Sequence, residues 1–329
     1  MRISVIVPVR NEAASIAALL QALLTQTLPP AEIVITDGGS TDATTAIIQR
    51  FIDERAPVRL IRTTSALPGR GRNLAVTHSS SDWLAFTDAG IEPQPDWLEA
   101  LAEKATNGSV DVVYGSYEPK TNTFFTECAA IAYITPPAET DGVLMRGRSI
   151  ASALIRRSVW ESVGGFPEHL RSAEDLLFMN RIEAAHFRVA YAAKAIVRWD
   201  LQSNLWGTFR RFAIYSRNNI RAGLWKDWQQ AVLSRYVLLL LLMFPTIILG
   251  KWWLAVPLAM WLLLLLTRAV VSIRRNRACY PGGPLRNFAR LLLLLPLIAS
   301  IDLGAIVGTL HWSFTDKLRP TASAVKVKP

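Results

Sequence analysis

Three long apolar runs toward the C-terminal end of the chain constrain its fold more than any other feature. They cover residues 231–250, 252–273 and 291–310. Each run is close to the ~20 residues that a helix needs to cross the hydrocarbon core of a bilayer. Leucines occupy all of positions 238–242, so a helix there has no polar face for water, which argues against a soluble helical bundle. The sequence therefore predicts a transmembrane region over 231–312 and a tail over 313–329.

Arginines between the second and third runs predict the orientation of the chain in the membrane. They are Arg274, Arg275, Arg277, Arg286 and Arg290. By the positive-inside rule this loop is cytoplasmic, and a hairpin at Lys251 then leaves residues 1–230 on the same side. We therefore expect a multi-pass protein of the inner (cytoplasmic) membrane. Pro296 and Asp302 interrupt the third run, which leaves two alternatives: it spans the bilayer or it folds back.

Residues 203–230 mix aromatic side chains with arginines, a pattern typical of a helix that lies in the headgroup plane. Arg210, Arg211 and Arg217 are expected to bind the phosphate of a lipid or lipid-linked acceptor. The alternative is a packing helix whose arginines are simply solvated. The net charge of +10 fits an anionic membrane as partner, and because no nucleic-acid motif accompanies it, no nucleic-acid partner is expected.

Short apolar runs alternate with helical patterns through residues 1–202, and this alternation predicts an α/β domain. Strands are predicted at residues 3–8, 32–36, 58–62 and 83–87. The first run ends too soon for a signal peptide and is interpreted as a strand. Such alternation implies a mostly parallel sheet with helices on both faces. The two cysteines have no metal-binding or disulfide spacing, which fits a reducing compartment.

Polar residues follow several of the predicted strands. Asn11 and Glu12 come after the first strand, Asp37 after the second and Asp88 after the fourth. Ligands of a parallel sheet bind beyond the carboxyl ends of its strands, so these side chains are expected to share one rim.

Five segments of the chain resemble the family 2 glycosyltransferases, in the order in which that family carries them. They read VIVPVRNE, IVITDGGSTDAT, GRGRNLAV, WLAFTDAGIEP and VGGFPEHLRSAEDLLFMNRIEAAHFRVAY. The resemblance covers about residues 1–200. It implies the GT-A fold, a mixed and mostly parallel sheet with helices on both faces, and inverting sugar transfer from a nucleotide-diphospho-sugar.

The resemblance also implies roles for residues on the donor side. Pro8, Asn11, Glu12 and Asp37 match the nucleoside contacts of the family, and Arg72 lies where the family keeps a basic residue near the diphosphate. Asp88 matches the first aspartate of the family's DxD metal motif, whereas Gly90 stands in place of the second.

Metal binding is therefore expected to rest on Asp88 together with the donor diphosphate, with Mg²⁺ or Mn²⁺ as the ion. Magnesium commonly takes only one or two carboxylates besides substrate phosphates and water. One alternative is an additional oxygen from Asp200. The other is that Arg198 neutralises the charge and makes the metal dispensable.

On the acceptor side, the resemblance implies that Asp175 is the catalytic base. Glu174 is expected to orient the loop, and Arg181 to brace the two carboxylates. A purely structural alternative exists, because acidic residues are favoured at any helix N-terminus.

The sequence thus predicts a membrane-bound glycosyltransferase that acts on a lipid or lipid-linked acceptor at the cytoplasmic membrane face. Gly90 keeps open a catalytically inactive nucleotide-sugar-binding scaffold. A processive polysaccharide synthase is a less favoured alternative, because three membrane segments are few for a polymer channel and no QxxRW-like sequence is present. The donor base and sugar, the acceptor and the oligomeric state do not follow from the sequence.

Overall fold

The computed structural model describes residues 1–106, 110–140 and 142–317. The chain forms two compact units. The first comprises Met1–Lys120 and Pro137–Asp200, and the second comprises Thr121–Pro136 and the chain from Leu201 onward. The predicted domain boundary at residue 202 lies beside this division. The assignment of Thr121–Pro136 to the second unit is a difference from the prediction of one continuous domain over 1–202.

Ten strands are described. They are β1 (Ile3–Val9), β2 (Glu32–Asp37), β3 (Val58–Arg62), β4 (Trp83–Phe86), β5 (Ile91–Pro93), β6 (Val112–Lys120), β7 (Ala138–Thr140), β8 (Val143–Met145), β9 (Ala153–Arg156) and β10 (Val189–Asp200). Eight of them form one sheet in the order β3-β2-β1-β4-β9-β6-β10-β5, and β7 pairs with β8. Strands β9 and β5 run antiparallel to their neighbours, while the β1–β4 half and the β6–β10 pair are parallel.

Thirteen α-helices are described across both units. They are α1 (Ile16–Leu24), α2 (Thr44–Asp53), α3 (Pro68–Thr77), α4 (Trp97–Thr106), α5 (Phe124–Tyr133), α6 (Arg157–Ser162), α7 (Glu174–Ala184), α8 (Leu205–Arg221), α9 (Trp225–Trp228), α10 (Gln230–Leu241), α11 (Thr246–Leu249), α12 (Ala255–Arg275) and α13 (Pro284–His311).

The sheet of the first unit is buried on both faces. Val5 and Val7 of β1 pack in one cluster with α1 and α4, whereas Ile6 packs in a second cluster with α3 and α7. Successive side chains of a strand point to opposite faces, which is why an uninterrupted apolar run suits a strand covered on both sides. The predicted mixed sheet with helices on both faces is confirmed.

The second unit contains three helical segments that are long and apolar enough to cross a membrane. They are Gln230–Leu249, Lys251–Arg275 and Pro284–Lys317. All three predicted runs are therefore helical. The first segment is interrupted where Pro245 separates α10 from α11, and the third is longer than predicted because α13 continues through Pro296.

Candidate active site

The loops after β1 and β2 hold each other in place through short polar contacts. The backbone N–H of Asn11 donates to Ser40 Oγ at 2.8 Å, and the N–H of Thr41 donates to Asn11 Oδ1 at 2.8 Å. Ser40 in turn donates its hydroxyl to Asp37, which is almost fully buried. Asn11 adopts a left-handed φ of 56°, which asparagine tolerates better than most residues. The predicted nucleoside-binding residues Asn11 and Asp37 are thus brought together.

Two glycines after β2 are required by the backbone that packs against them. A Cβ on Gly38 would lie 2.6 Å from the carbonyl oxygen of Ala66, and one on Gly39 would lie 2.5 Å from that of Thr64. Gly39 also has a φ of +90°, a conformation that side chains with a Cβ rarely adopt. The loop before α3 therefore approaches these two positions too closely for any residue with a side chain.

The start of α3 packs tightly against the rim of the sheet. A Cβ on Gly71 would lie 3.0 Å from the Cβ of Pro8, and one on Gly69 would lie 2.1 Å from the carbonyl oxygen of Pro167. Pro8 is therefore in contact with the helix that carries Arg72. These close approaches bring α3 between the loop after β1 and the segment that leads to α7.

Arg72 is the central charged residue of the site, and it is only 3% exposed. Its Nη2 donates to Asp88 Oδ1 at 2.6 Å, and its Nη1 donates to Glu174 Oε1 at 2.8 Å. The guanidinium also lies 5.3 Å from the centroid of the Phe166 ring. The family resemblance implies that Arg72 lies near the donor diphosphate; in the structure its two terminal nitrogens bind the carboxylates that flank it.

Two buried polar atoms of this cluster lack a hydrogen-bond partner among the described residues. They are Arg72 Nε and Glu174 Oε2. Buried polar atoms without a partner are uncommon in folded proteins and often belong to sites that a ligand or water completes. The cluster therefore retains unused hydrogen-bonding capacity next to both carboxylates.

Glu174 and Asp175 open helix α7, as the sequence predicted. Burial raises the pKa of both carboxyl groups above their ordinary values, and Arg72 opposes this rise for both. One oxygen of Asp175 accepts the backbone N–H of Leu176 at 2.9 Å, while its side chain keeps partial exposure to solvent. Ala173, just before the helix, has a φ of 70°, a strained conformation of a kind that clusters at functional sites. Asp175 is thus half-buried and has a raised pKa, and a general base works best when its pKa is raised toward the operating pH.

Asp88 lies on the loop after β4, and its side chain is one-third exposed. Gly90 has a φ of +80°, and a Cβ built on it would lie 3.8 Å from Glu12 Oε2. The Glu12 carboxylate thus lies near the position at which the family's second aspartate would begin. Sequence spacing alone did not reveal this, because Glu12 comes from the loop after β1.

The described residues contain no group of three or more His, Cys, Asp or Glu placed to hold a metal ion. The carboxylates of Asp88 and Glu12 are of the oxygen type that Mg²⁺ and Mn²⁺ take, but two ligands leave most of a coordination shell to be filled. The residues present therefore fit a divalent ion only if a bound diphosphate supplies further oxygens.

Arg181 and Arg198, which the sequence predicted to support the site, contact other groups in the structure. Arg181 donates to the carbonyl oxygen of Gly165 at 3.2 Å, so it supports the loop before α7. Arg198 donates to Glu118 at 3.2 Å across the β6–β10 pair and lies opposite Glu92 of β5. Because β5 shortly follows Asp88, the register places Arg198 on the strand next to the donor-side loop.

The predicted lipid-binding arginines belong to α8 in the second unit. Arg210 is exposed and Arg211 is half-buried, whereas Arg217 forms an ion pair with Asp316 at 2.8 Å. The aromatic residues around them include Trp206, which is stacked on Phe209 and largely exposed. Two of the three arginines thus lie free of any ion pair with a described carboxylate.

One site-forming residue was noted in the sequence without a role. The Asn73 side-chain amide donates to the carbonyl oxygen of Phe166 at 2.9 Å, and its Oδ1 accepts the N–H of Phe166 at 2.9 Å and the indole N–H of Trp160 at 3.1 Å. Asn73 therefore anchors the loop before α7 to the helix that carries Arg72. Its position next to Arg72 in the GRGRN segment was the only available signal.

Comparison with known proteins agrees with this geometry. The family model described as glycosyl transferase family 2 matches residues 4–162. Glycosyltransferase AglE of Haloferax volcanii is 30% identical over 198 residues, which cover 59% of this chain and 65% of that protein. The O-antigen chain rhamnosyltransferase RfbN of Salmonella typhimurium is 28% identical over 209 residues, which cover 60% of this chain and 66% of that protein. In both cases the match spans slightly less than two thirds of the relative's own length.

A solved structure shares the fold. The mannosyltransferase PcManGT from Pyrobaculum calidifontis, in complex with GDP-Man and Mn²⁺, matches with a TM-score of 0.57 at 20% identity, covering 95% of this chain and 87% of that chain. At this level of identity the likeness establishes the fold alone. The predicted GT-A fold is thereby confirmed, and the family model's match to residues 4–162 supports the predicted family for that domain. Residues 4–162 therefore form a domain that matches family 2 of the glycosyltransferases.

Proposed function

We propose that this chain transfers a sugar, with inversion at the anomeric carbon, from a nucleotide-diphospho-sugar to a lipid or lipid-linked acceptor at a membrane. The observation that carries the proposal is the buried Arg72, which joins Asp88 on the donor side to Glu174 next to Asp175. One cation thus links the two carboxyl-bearing loops that an inverting transferase needs close together. The GDP-Man named for PcManGT supports a nucleotide-sugar donor, and the O-antigen chain in the name of the rhamnosyltransferase RfbN supports a cell-envelope acceptor.

In this proposal, the donor nucleoside binds over the loops after β1 and β2. Pro8 lies near the end of β1, Asn11 and Glu12 lie in the loop that follows it, and Asp37 offers carboxylate oxygens to the base or ribose. Arg72 acts on the donor mainly through Asp88, whose carboxylate it holds in place. Arg198 adds positive charge beside the same loop.

The proposed reaction is a single displacement. An acceptor hydroxyl oxygen attacks the anomeric carbon, the bond from that carbon to the diphosphate oxygen breaks, and its electron pair leaves with the nucleoside diphosphate. Asp175 takes the hydroxyl proton on a carboxylate oxygen as the attack proceeds. Attack from the face opposite the leaving group inverts the anomeric configuration. Glu174 and Arg181 hold the start of α7 in position.

We further propose that Mg²⁺ or Mn²⁺ binds with the donor, held by Asp88 and the diphosphate, with the Glu12 carboxylate within reach. When bound, such an ion offsets the negative charge that develops on the departing diphosphate. The three apolar helices support membrane association, and the arginines around residues 274–290 support the cytoplasmic face as the side of catalysis.

The test is sugar transfer by the purified full chain. UDP-, GDP- and dTDP-sugars are each supplied with a membrane extract as acceptor, and products are read by mass spectrometry with and without EDTA. We expect Asp175→Asn to abolish transfer and to leave donor affinity close to that of the parent. Asp88→Ala should weaken both donor affinity and the response to metal, and Asp53→Asn, at an exposed position of α2, is the matched control.

Two results would contradict the proposal. Tight donor binding without turnover in the parent chain would favour the nucleotide-sugar-binding scaffold that Gly90 keeps open. Equal donor affinity in the parent, Asp88→Ala and Asp175→Asn would remove Asp88 from the donor site.

A further inference from the structure

Helices α8 and α13 run side by side in the same direction over the second half of α13. Ser300 Oγ donates to the carbonyl oxygen of Leu205 at 3.0 Å, close to the start of α8. Near the end of α8, Arg217 forms hydrogen bonds of 2.9 and 2.8 Å with Asp316, in the turn of helix that continues α13. Because the residue numbers of both partners rise together, the two helices are parallel.

Two glycines of α13 bring these helices into backbone contact. A Cβ on Gly304 would lie 2.7 Å from the carbonyl oxygen of Phe209, and one on Gly308 would lie 2.3 Å from that of Ala213. Glycines four positions apart lie on one helix face, and this spacing is a common means of close helix packing in membranes. The second half of α13 is therefore held at the same depth as α8.

Helix α8 cannot lie across the hydrocarbon core. Its 17 residues include Arg210, Arg211, Arg217 and Arg221. Each arginine at the centre of a membrane helix costs about 2.5–3.5 kcal/mol on insertion scales, so that four cost about 10 kcal/mol or more. A helix of this kind lies at the level of the headgroups. The part of α13 that packs on α8 must lie there too.

Ion pairs hold the first half of α13 on the same side of the bilayer as α8. Arg286 and Arg290 both form ion pairs with Glu127 of α5, and Arg290 is fully buried. Along the chain, α5 begins a few residues after Lys120 and α8 a few residues after Asp200, and these two strand ends pair with each other. Both segments that hold α13 thus begin within about five residues of two paired strand ends, and connections of that length cannot reach opposite faces of a bilayer.

An ion pair with α12 gives an independent measure of depth. Arg268 binds Asp302 through both terminal nitrogens, with 3.1 Å from Nη2 to Oδ1. At a rise of 1.5 Å per residue, Arg268 lies about 10 Å from the end of α12 at Arg275. The ion pair therefore places Asp302 beside the last two turns of α12, which fits a position near the membrane surface.

The exposed surface of α13 forms one apolar stripe. Exposed apolar side chains lie three or four residues apart at Leu285, Phe288, Leu292 and Pro296, and again at Leu303, Val307 and Leu310. The stripe is about 38 Å long, longer than the ~30 Å hydrocarbon core. The opposite face, with Leu294, Gly304 and Gly308, is buried against the rest of the unit. A one-sided stripe suits a helix that lies on a membrane better than one surrounded by lipid.

We infer that α13 is an in-plane helix that does not span the membrane, and that α8 and α13 together form a platform for the surface of a bilayer rich in anionic phospholipid. The apolar stripe of α13 enters the boundary of the acyl chains. The exposed Arg210 of α8 meets lipid phosphates, and Trp206 lies at the headgroup level. The sequence left two alternatives for the third apolar run, a segment that spans the bilayer and one that folds back. The in-plane position of α13 corresponds to the segment that folds back.

The test compares label depth along α13 with label depth along α12. Single cysteines replace Leu292, Leu303 and Leu310 in α13, or Leu258, Leu262 and Leu266 in α12, in full-length protein whose two native cysteines are changed to alanine. Each carries a nitroxide, and the protein is reconstituted into phosphatidylcholine vesicles with or without phosphatidylglycerol. Electron paramagnetic resonance reads depth from the ratio of oxygen to nickel-chelate accessibility.

We expect the three α13 labels to report one shallow depth within a few ångströms, whereas the α12 labels change depth steadily by about 6 Å per step. Labels on α13 that pass through the bilayer centre as those on α12 do would overturn the in-plane assignment. Omitting phosphatidylglycerol, or Arg210→Gln, should make the Leu303 and Leu310 labels shallower. If label depth stayed unchanged both without phosphatidylglycerol and in Arg210→Gln, anionic lipid would be excluded as the partner. Spin–spin broadening between copies, without contact with lipid, would show that the platform binds a second copy of the chain instead.

Discussion

Replacing Arg72 with methionine keeps most of the apolar length of the side chain and removes the charge that Asp88 and Glu174 share. Glu174 is 4% exposed, so its carboxylate has little access to water once the guanidinium is gone. A buried carboxyl group without a partner takes up a proton and does not stay charged. The pKa of Glu174, already above its ordinary value, should therefore rise further in this variant.

The free energy of unfolding should fall by an amount that depends on pH. A carboxyl group whose folded pKa is raised destabilises the protein above its unfolded pKa, and the loss grows by at most about 1.4 kcal/mol per pH unit. Counted from the ordinary pKa of 4.5 for Glu174, the loss of unfolding free energy is at most about 1 kcal/mol at pH 5.5 and about 4 kcal/mol at pH 7.5. The higher figure lies in the range of about 3–5 kcal/mol for one broken buried ion pair. Asp88 adds little, because it is one-third exposed and can be hydrated.

The measurement is hydrogen exchange of peptides from α3 and α7 in detergent-solubilised full-length protein at pH 5.5 and 7.5. This reads local stability without assuming that both units unfold together. Arg70→Met, at an exposed position of the same helix, is the matched control and should change little. Equal losses for Arg72→Met at the two pH values, or losses no larger than those of Arg70→Met, would refute the ion-pair argument.

Three further outcomes are expected. The rate of sugar transfer should rise with pH through an apparent pKa above that of an ordinary aspartate, because burial raises the pKa of Asp175. A steady-state pH profile checks this. A rise of the rate centred near the ordinary aspartate pKa of 3.8 would contradict it. Gly39→Val should destabilise the first unit, since its Cβ would meet the backbone of Thr64 at 2.5 Å, and melting curves should show a loss of several degrees. Glu127→Ala should cost about 3–5 kcal/mol by leaving Arg290 buried without its carboxylate, and a melting point equal to the parent's would show that the pair is dispensable.

Much of the first unit could be predicted because its signals are local. The apolar run at Ile3–Val9 and the helical spacing that follows it depend only on neighbouring residues, and the alternation of such segments implies a sheet covered on both faces. Asp88 and Asp175 each follow or open a regular element, but the roles predicted for them come from the resemblance of the surrounding motifs to a family. The prediction of one domain over 1–202 includes Thr121–Pro136, whereas the structure groups this segment with the second unit, because its packing depends on α13, more than 150 positions away.

The sequence alone therefore determined which segments are strands, which are apolar helices and which loops carry acidic residues, because periodicity and short motifs are properties of adjacent positions. The tertiary structure decided which charges meet. Only folding brings Arg72 between Asp88 and Glu174, sets Glu12 beside Gly90, and packs α13 along α8. Ion pairs and glycine contacts of this kind join residues far apart in the chain, and no local pattern specifies a partner at such a distance.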